Sequence, residues 1–175
     1  MRYTIRTLLC LLLALCLLAP MTACNSGNWR GDLTAAQVRD AVAASLNASD
    51  GWKSVSENYI SPSSWGEDYA DYLDKVTDYS ITVSENSDMN IDEIGVFRCK
   101  SQADAKAVKT FCENYLATKK LQMTPLLESY NPGELPKLDY AAVNVIGCYV
   151  MYTVLDSAST TVAGSAMEKA LTPAE

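Results

Sequence analysis

Histidine is absent from the 175 residues, and that absence removes more chemistry than any residue present supplies. Without imidazole there is no Ser-His-Asp or Cys-His nucleophile pair, no histidine general base and no common zinc hydrolase site. The chain also lacks a GxSxG elbow, an SxxK pair, a GxxxxGKS/T loop and a GxGxxG turn. The enzyme designs that remain use two carboxylates, or a lone serine or lysine. Carboxylates cluster at Glu67, Asp68, Asp71 and Asp74, and on a helix Glu67, Asp71 and Asp74 share a face. Glycoside hydrolysis needs one carboxyl of raised pKa and a partner across a cleft. A row along one short helix is more often a solvated face, and these acids read as one.

Three further groups have residue types that could do chemistry. Asp88-Met89-Asn90-Ile91-Asp92 imitates the start of a calcium loop, but Glu93 stands where the turn needs glycine and Cys99 where a bidentate glutamate belongs. It reads as a polar connection between strands. Cys99, Cys112 and Cys148 follow no CxxC spacing, which excludes a zinc knuckle and a thioredoxin-like pair. Their apolar surroundings suit small core hydrophobes; one disulfide plus one buried thiol, or no disulfide, both stay open. Trp52, Tyr59, Trp65, Tyr69, Tyr72 and Tyr79 crowd one window among acids and serines. Such aromatics stack on sugar rings or grip a peptide, or they pack as a lid over the end of a sheet. Packing is preferred for most of them. The candidate binding surface is Trp52, Tyr59, Trp65, Tyr69 and Tyr72, with Trp52 and Trp65 the pair to test.

The N-terminus carries an address. Arg2 and Arg6 precede an unbroken apolar run at 8–18. That run is shorter than the roughly 20 residues of a membrane-spanning helix and suits the h-region of a signal peptide. Met21-Thr22-Ala23-Cys24 then resembles the lipobox of bacterial lipoproteins. The resemblance implies that the Cys24 thiol receives a diacylglycerol, that cleavage makes Cys24 the first mature residue, and that the domain stays on the extracytoplasmic face of the cell membrane. Each buried methylene of an acyl chain contributes about 0.8 kcal/mol, so two chains make a durable anchor. The alternative is an ordinary signal peptide cut elsewhere, with Cys24 a disulfide partner.

Losing residues 1–23 leaves 152, enough for one domain with a core but not two. The mature part holds 12 basic and 21 acidic residues, net −9. So acidic a surface repels nucleic acid and anionic headgroups, and a nucleic-acid partner is excluded.

The elements that position these groups follow from periodicity and punctuation. Residues 24–31 read as a lipidated flexible tether, and 32–173 as a single domain. Thr34 with Gln37 makes a capping-box start for a helix that Asp50-Gly51 ends. Ser61 to Ser64 reads as a loop and 66–74 as a short helix. Residues 76–84 and 92–99 read as strands of a hairpin with a long connection. Ser101 caps the longest helix, which Pro125 is expected to break or kink, and Pro136 is taken as extended chain. Residues 140–145 and 148–155 form a tight hairpin around Ile146-Gly147, the second strand being apolar on both faces and so interior to the sheet. Asp156 or Ser157 opens a last helix near 160–171. The expected fold is α+β: a single two-layer domain in αββαββα order, a mostly antiparallel four-stranded sheet with helices on one face.

Several stretches carry a family resemblance: Glu93-Ile94-Gly95-Val96-Phe97-Arg98-Cys99-Lys100, the helix with Asp104, Ala107, Val108 and Lys109, Tyr130-Asn131-Pro132, Leu135 to Leu138, and Gly147-Cys148-Tyr149-Val150. The chain resembles the group catalogued as domain of unknown function 4358, over about residues 35–170. The resemblance implies a lipoprotein of Gram-positive gut anaerobes with one domain of this kind, and it carries no activity and no catalytic residue.

The expectation is therefore a membrane-anchored extracytoplasmic lipoprotein, lipidated at Cys24, acting as a non-enzymatic binding or scaffolding module. Its partners would be membrane lipid through acylated Cys24 and a cell-wall glycan, a peptide or another envelope protein. No cofactor, metal site or catalytic residue is assigned. The alternatives are a carboxylate-based cell-wall glycan hydrolase and an accessory solute-binding lipoprotein.

Overall fold

Two strands bury both of their faces, and this decides the architecture. A computed structural model describes residues 29–46, 51–56, 58–85 and 90–173. Cys24, the signal segment, most of the tether and Asp88-Met89 of the calcium-like stretch lie outside them. The elements are α1 (Ala35–Ser45), β1 (Trp52–Ser54), α2 (Pro62–Trp65), α3 (Tyr69–Leu73), β2 (Val76–Ser84), β3 (Glu93–Cys99), α4 (Gln102–Tyr130), a 3-10 turn (Pro132–Glu134), α5 (Leu135–Tyr140), β4 (Ala142–Ile146), β5 (Tyr149–Val154) and α6 (Ser157–Leu171). The strands form one antiparallel sheet in the order β1-β2-β3-β5-β4.

Side chains alternate across β3 and β5, and each set meets a helix layer. Phe97, Cys99, Val150 and Tyr152 pack against Trp65 of α2 and Ala105, Val108, Phe111, Cys112 and Tyr115 of α4. Ile94, Val96, Tyr149 and Met151 pack on the other side against Val38 and Val42 of α1 and Ala163, Met167 and Leu171 of α6. Helices therefore cover both faces, which corrects the expected two-layer form with helices on one. The correction has a simple cause. A strand apolar on both sides needs two covers, and the first and last helices supply the second.

The other departures are local. The sheet has five strands, not four, because Trp52, Lys53 and Ser54 pair with Ser84, Val83 and Thr82. Two short helices, α2 and α3, precede β2, and α5 precedes β4, so the order is longer than αββαββα. Ser61-Pro62-Ser63-Ser64 is not a loop throughout: Pro62 sits at the first position of α2, where its missing N–H is no loss. Pro136 likewise lies in the first turn of α5 and not in extended chain. Helix α4 continues through Pro125; fully buried Leu127, packed with Ile91, Leu138 and Val154, holds the turn beyond it. The β4–β5 turn is one residue later than expected, at Gly147-Cys148, because Gly147 takes φ +59° and leaves Ile146 in its strand opposite Tyr149.

Several caps match the sequence reading. Thr34 and Gln37 make both bonds of the capping box, Ser101 accepts from the Asp104 N–H, and Asp156 accepts from the Ser159 N–H. β2 spans the expected residues and pairs with β3. Cys99, Cys112 and Cys148 are all buried. Burial first, then the neighbouring Cys99 and Glu113, pushes the Cys112 thiol well above its ordinary pKa, as suits a core hydrophobe.

Candidate functional site

The fold gathers titratable groups at Glu93, a residue the composition does not single out. Glu93 opens β3 on the α4 side and is fully buried, the one buried carboxylate among the described residues. Tyr115 of α4 donates its hydroxyl to the carboxylate at 2.9 Å from Oε1 and 3.1 Å from Oε2. Tyr152 of β5 donates to Oε1. One turn beyond Tyr115, Lys119 brings Nζ to 2.6 Å from Oε2, with its side chain 16% exposed. Tyr59 completes the chain, its hydroxyl 3.2 Å from that of Tyr115. Since Tyr115 already donates to Glu93, the hydroxyl of Tyr59 donates to Tyr115.

The electrostatics follow from this packing. Burial first, and the Glu93 charge second, raise the phenol pKa values of Tyr59, Tyr115 and Tyr152 above the ordinary 10.0. These phenols stay protonated and serve as donors. Both carboxylate oxygens are occupied by two phenols and an ammonium. Such a group, wholly buried, has no lone pair aimed at open space. The arrangement ties α4, β3 and β5 together; it is a lock, buried under the indole of Trp65, which stacks on Tyr115 at 3.8 Å between centroids and 5° between planes.

The expected site residues divide. Trp65 is 3% exposed and packs against Phe97, Phe111, Tyr115 and Tyr152, so it is a core residue and leaves the candidate binding surface. Tyr72 stacks on Phe111 with ring centroids 4.6 Å apart. Tyr59 and Tyr69 are half-buried against the same cluster, and Trp52 is half-buried on the opposite face of the sheet, against the α1–α6 cluster. The structure brings Tyr59, Trp65, Tyr69 and Tyr72 together as a cover over the α4 side, and it does not bring Trp52 to them. Glu67, Asp68, Asp71 and Asp74 are all exposed. The one described acid of the calcium-like stretch, Asp92, forms an ion pair with Lys137 at 2.6 Å. Lys137 also pairs with Glu134 at 2.8 Å. Burial pulls the Lys137 amine down, but its bonds to Asp92 and Glu134 outweigh that and hold it above its ordinary pKa.

A shallow groove of about 730 Å³ runs between α1 and α6, lined mainly by Ala41, Ala44, Ala166, Ala170 and the cations Arg30 and Lys169. Arg30 is paired with Asp32 at 2.8 Å. Among the described residues no helix is long and apolar enough to cross a membrane, and no group of three or more His, Cys, Asp or Glu is placed to hold a metal ion.

The family described as Domain of unknown function (DUF4358) matches residues 68–155, from the residue before α3 to the residue after β5. The chain belongs to this family. No curated protein and no solved structure matches it. The DUF4358 match holds Glu93, Tyr115, Lys119 and Tyr152, so the lock is built within the family segment, whereas Tyr59, Trp65, α1 and α6 lie outside it. It is narrower than the 35–170 expected from the resemblance.

One signal for the lock was legible before the fold. Tyr115 and Lys119 stand four apart and so share a helix face, and Glu93 stands two before Gly95 and four before Phe97, on the same side of a strand. What no local pattern states is that these faces meet, across 22 and 59 residues of chain.

Proposed function

We propose that this DUF4358 chain is a non-enzymatic binding or scaffolding module held at the extracytoplasmic face of the cell membrane by an acylated Cys24. The observation that supports this reading is the disposition of the carboxylates. The acids that stand together in sequence, Glu67 to Asp74, project into solvent. The carboxylate that is desolvated, Glu93, has both oxygens occupied by Tyr115, Tyr152 and Lys119. A glycan hydrolase needs one desolvated acid and a second carboxylate across an open cleft, and these groups are arranged for neither role.

The test has two parts. Fractionation of cells carrying the native chain and a Cys24→Ser variant reads the address: the native protein is expected with membranes and the variant released. Crosslinking in live cells, followed by identification of the captured molecules, reads the role. Cleavage of purified cell-wall glycan by the native protein, lost in Asp71→Asn, would refute the non-enzymatic reading.

A further inference from the structure

The two edges of the sheet are treated differently. At one edge β1 is only three residues long and carries Lys53, and β2 beside it has a bulge between Val76 and Asp78. Short strands, lysines and bulges are the usual means of blunting an edge. At the other edge β4 is five residues, Ala142-Val143-Asn144-Val145-Ile146, with no charge, no proline and no bulge. No other described strand lies against its outer side.

The register says which groups are left over. Ile146 and Tyr149 close the two-residue turn as a hydrogen-bonded pair. In an antiparallel ladder bonding pairs alternate, so Asn144 and Ala142 bond inward to β5. The N–H and C=O of Val143 and Val145 then point away from the sheet. Val145 is 38% exposed, and Tyr140, two residues before the strand, is 47% exposed.

We propose that this edge pairs with the same edge of a second copy of the chain, antiparallel and centred on Asn144, to give a continuous ten-stranded sheet. The strand is its own complement in that register. Val143 exchanges two hydrogen bonds with Val145 of the second copy, and the reverse pair adds two more. Ala142 stands opposite Ile146, and Asn144 opposite Asn144. No charge meets a like charge within the strand, although the chain as a whole carries −7. Five residues bury too little for a tight dimer in dilute solution. Confinement of copies to one membrane raises their effective concentration, so this pairing rests on the tethered reading.

The experiment places a cysteine on the proposed two-fold axis. Residues opposite one another in a non-hydrogen-bonded antiparallel pair have Cα atoms roughly 4.5 Å apart, within reach of a disulfide. The full chain carrying Asn144→Cys is expressed in a bacterial host, membranes are separated, and crosslinked species are read on non-reducing gels. A disulfide dimer of this chain is expected, at least tenfold above that from Lys53→Cys on the opposite edge. Adding Val145→Pro removes an outward donor without touching the β5 ladder, and is expected to abolish the dimer while leaving the unfolding temperature close to that of Asn144→Cys alone. Membrane-bound protein without the dimer overturns the pairing and leaves the tether standing. Asn144→Cys linked chiefly to a different protein overturns the second copy as occupant. Protein found in the soluble fraction overturns the tether and, with it, the pairing built on it.

Discussion

Tyr152 lies directly over Gly95. The two residues face each other across β3 and β5, and a Cβ built on Gly95 would fall 2.0 Å from Cε1 and 2.5 Å from Cζ of the Tyr152 ring. The absence of a side chain at 95 is what lets the ring lie flat and carry its hydroxyl to Glu93. Gly95→Ala is therefore expected to displace the ring and break that bond. Overpacking and loss of a hydrogen bond to a charged group together cost about 3–5 kcal/mol. In a double-mutant cycle measured by urea unfolding, Tyr152→Leu should absorb much of this loss, so that the pair costs clearly less than the sum of the single changes. Additive losses would show that the contact is not what makes glycine necessary.

Glu93 and Lys119 form an ion pair whose carboxylate is wholly buried. Removing one member strands the other, at about 3–5 kcal/mol. Glu93→Met and Lys119→Met should each destabilise on that scale. The combined Glu93→Met, Lys119→Met variant should be more stable than Glu93→Met alone, though below the native chain because the hydroxyls of Tyr115 and Tyr152 lose their acceptor. Chemical denaturation of the four proteins at pH 7 checks the order; a combined variant as unstable as the sum of its parts contradicts the lock.

Alkaline pH should loosen the fold. Tyr59, Tyr115 and Tyr152 have pKa values raised in the folded state by burial and by Glu93, relative to an ordinary 10.0. A group whose folded pKa is raised stabilises fully below the unfolded value and loses that contribution as pH rises toward the folded one. Stability should hold up to about pH 10 and fall above it, with the unfolded chain shedding phenolic protons first. Denaturation midpoints from pH 8 to 11.5 follow this, and Tyr115→Phe should flatten the decline. An unchanged slope in that variant would remove Tyr115 as a cause.

Trp65 and Trp52 should behave differently. Trp65→Ala removes a ring that stacks on Tyr115 inside the core and is expected to cost about 3–5 kcal/mol, close to the whole stability of many domains. A binding defect in that variant would report unfolding. Trp52 is half-buried on a three-residue edge strand, and Trp52→Ala should lower the melting temperature by only a fraction of that seen for Trp65→Ala in the same calorimetric scan.

Much of the fold was legible because it is local. The Thr34–Gln37 box, the Ser101 and Asp156 caps and the alternation of β2 each depend on residues within one turn or one strand. The same holds for the absence of histidine, which excludes whole classes of chemistry with no structure at all. Pro125 and Pro136 depart from what their local sequence implies for a related reason. A proline states what its own backbone cannot do, but whether a helix survives depends on what packs beyond it, here Leu127, and on how close the proline stands to a helix start.

What the amino-acid order alone determined was the type of the longer elements, the family, and the apolar character of β5 on both sides. What only the tertiary structure decided was the second helix layer over that strand, the burial of Trp65, and the meeting of Glu93 with Tyr115, Lys119 and Tyr152. The physical reason is range. Propensity, capping and alternation act between near neighbours, whereas a buried carboxylate finds its donors only once distant segments are folded against each other.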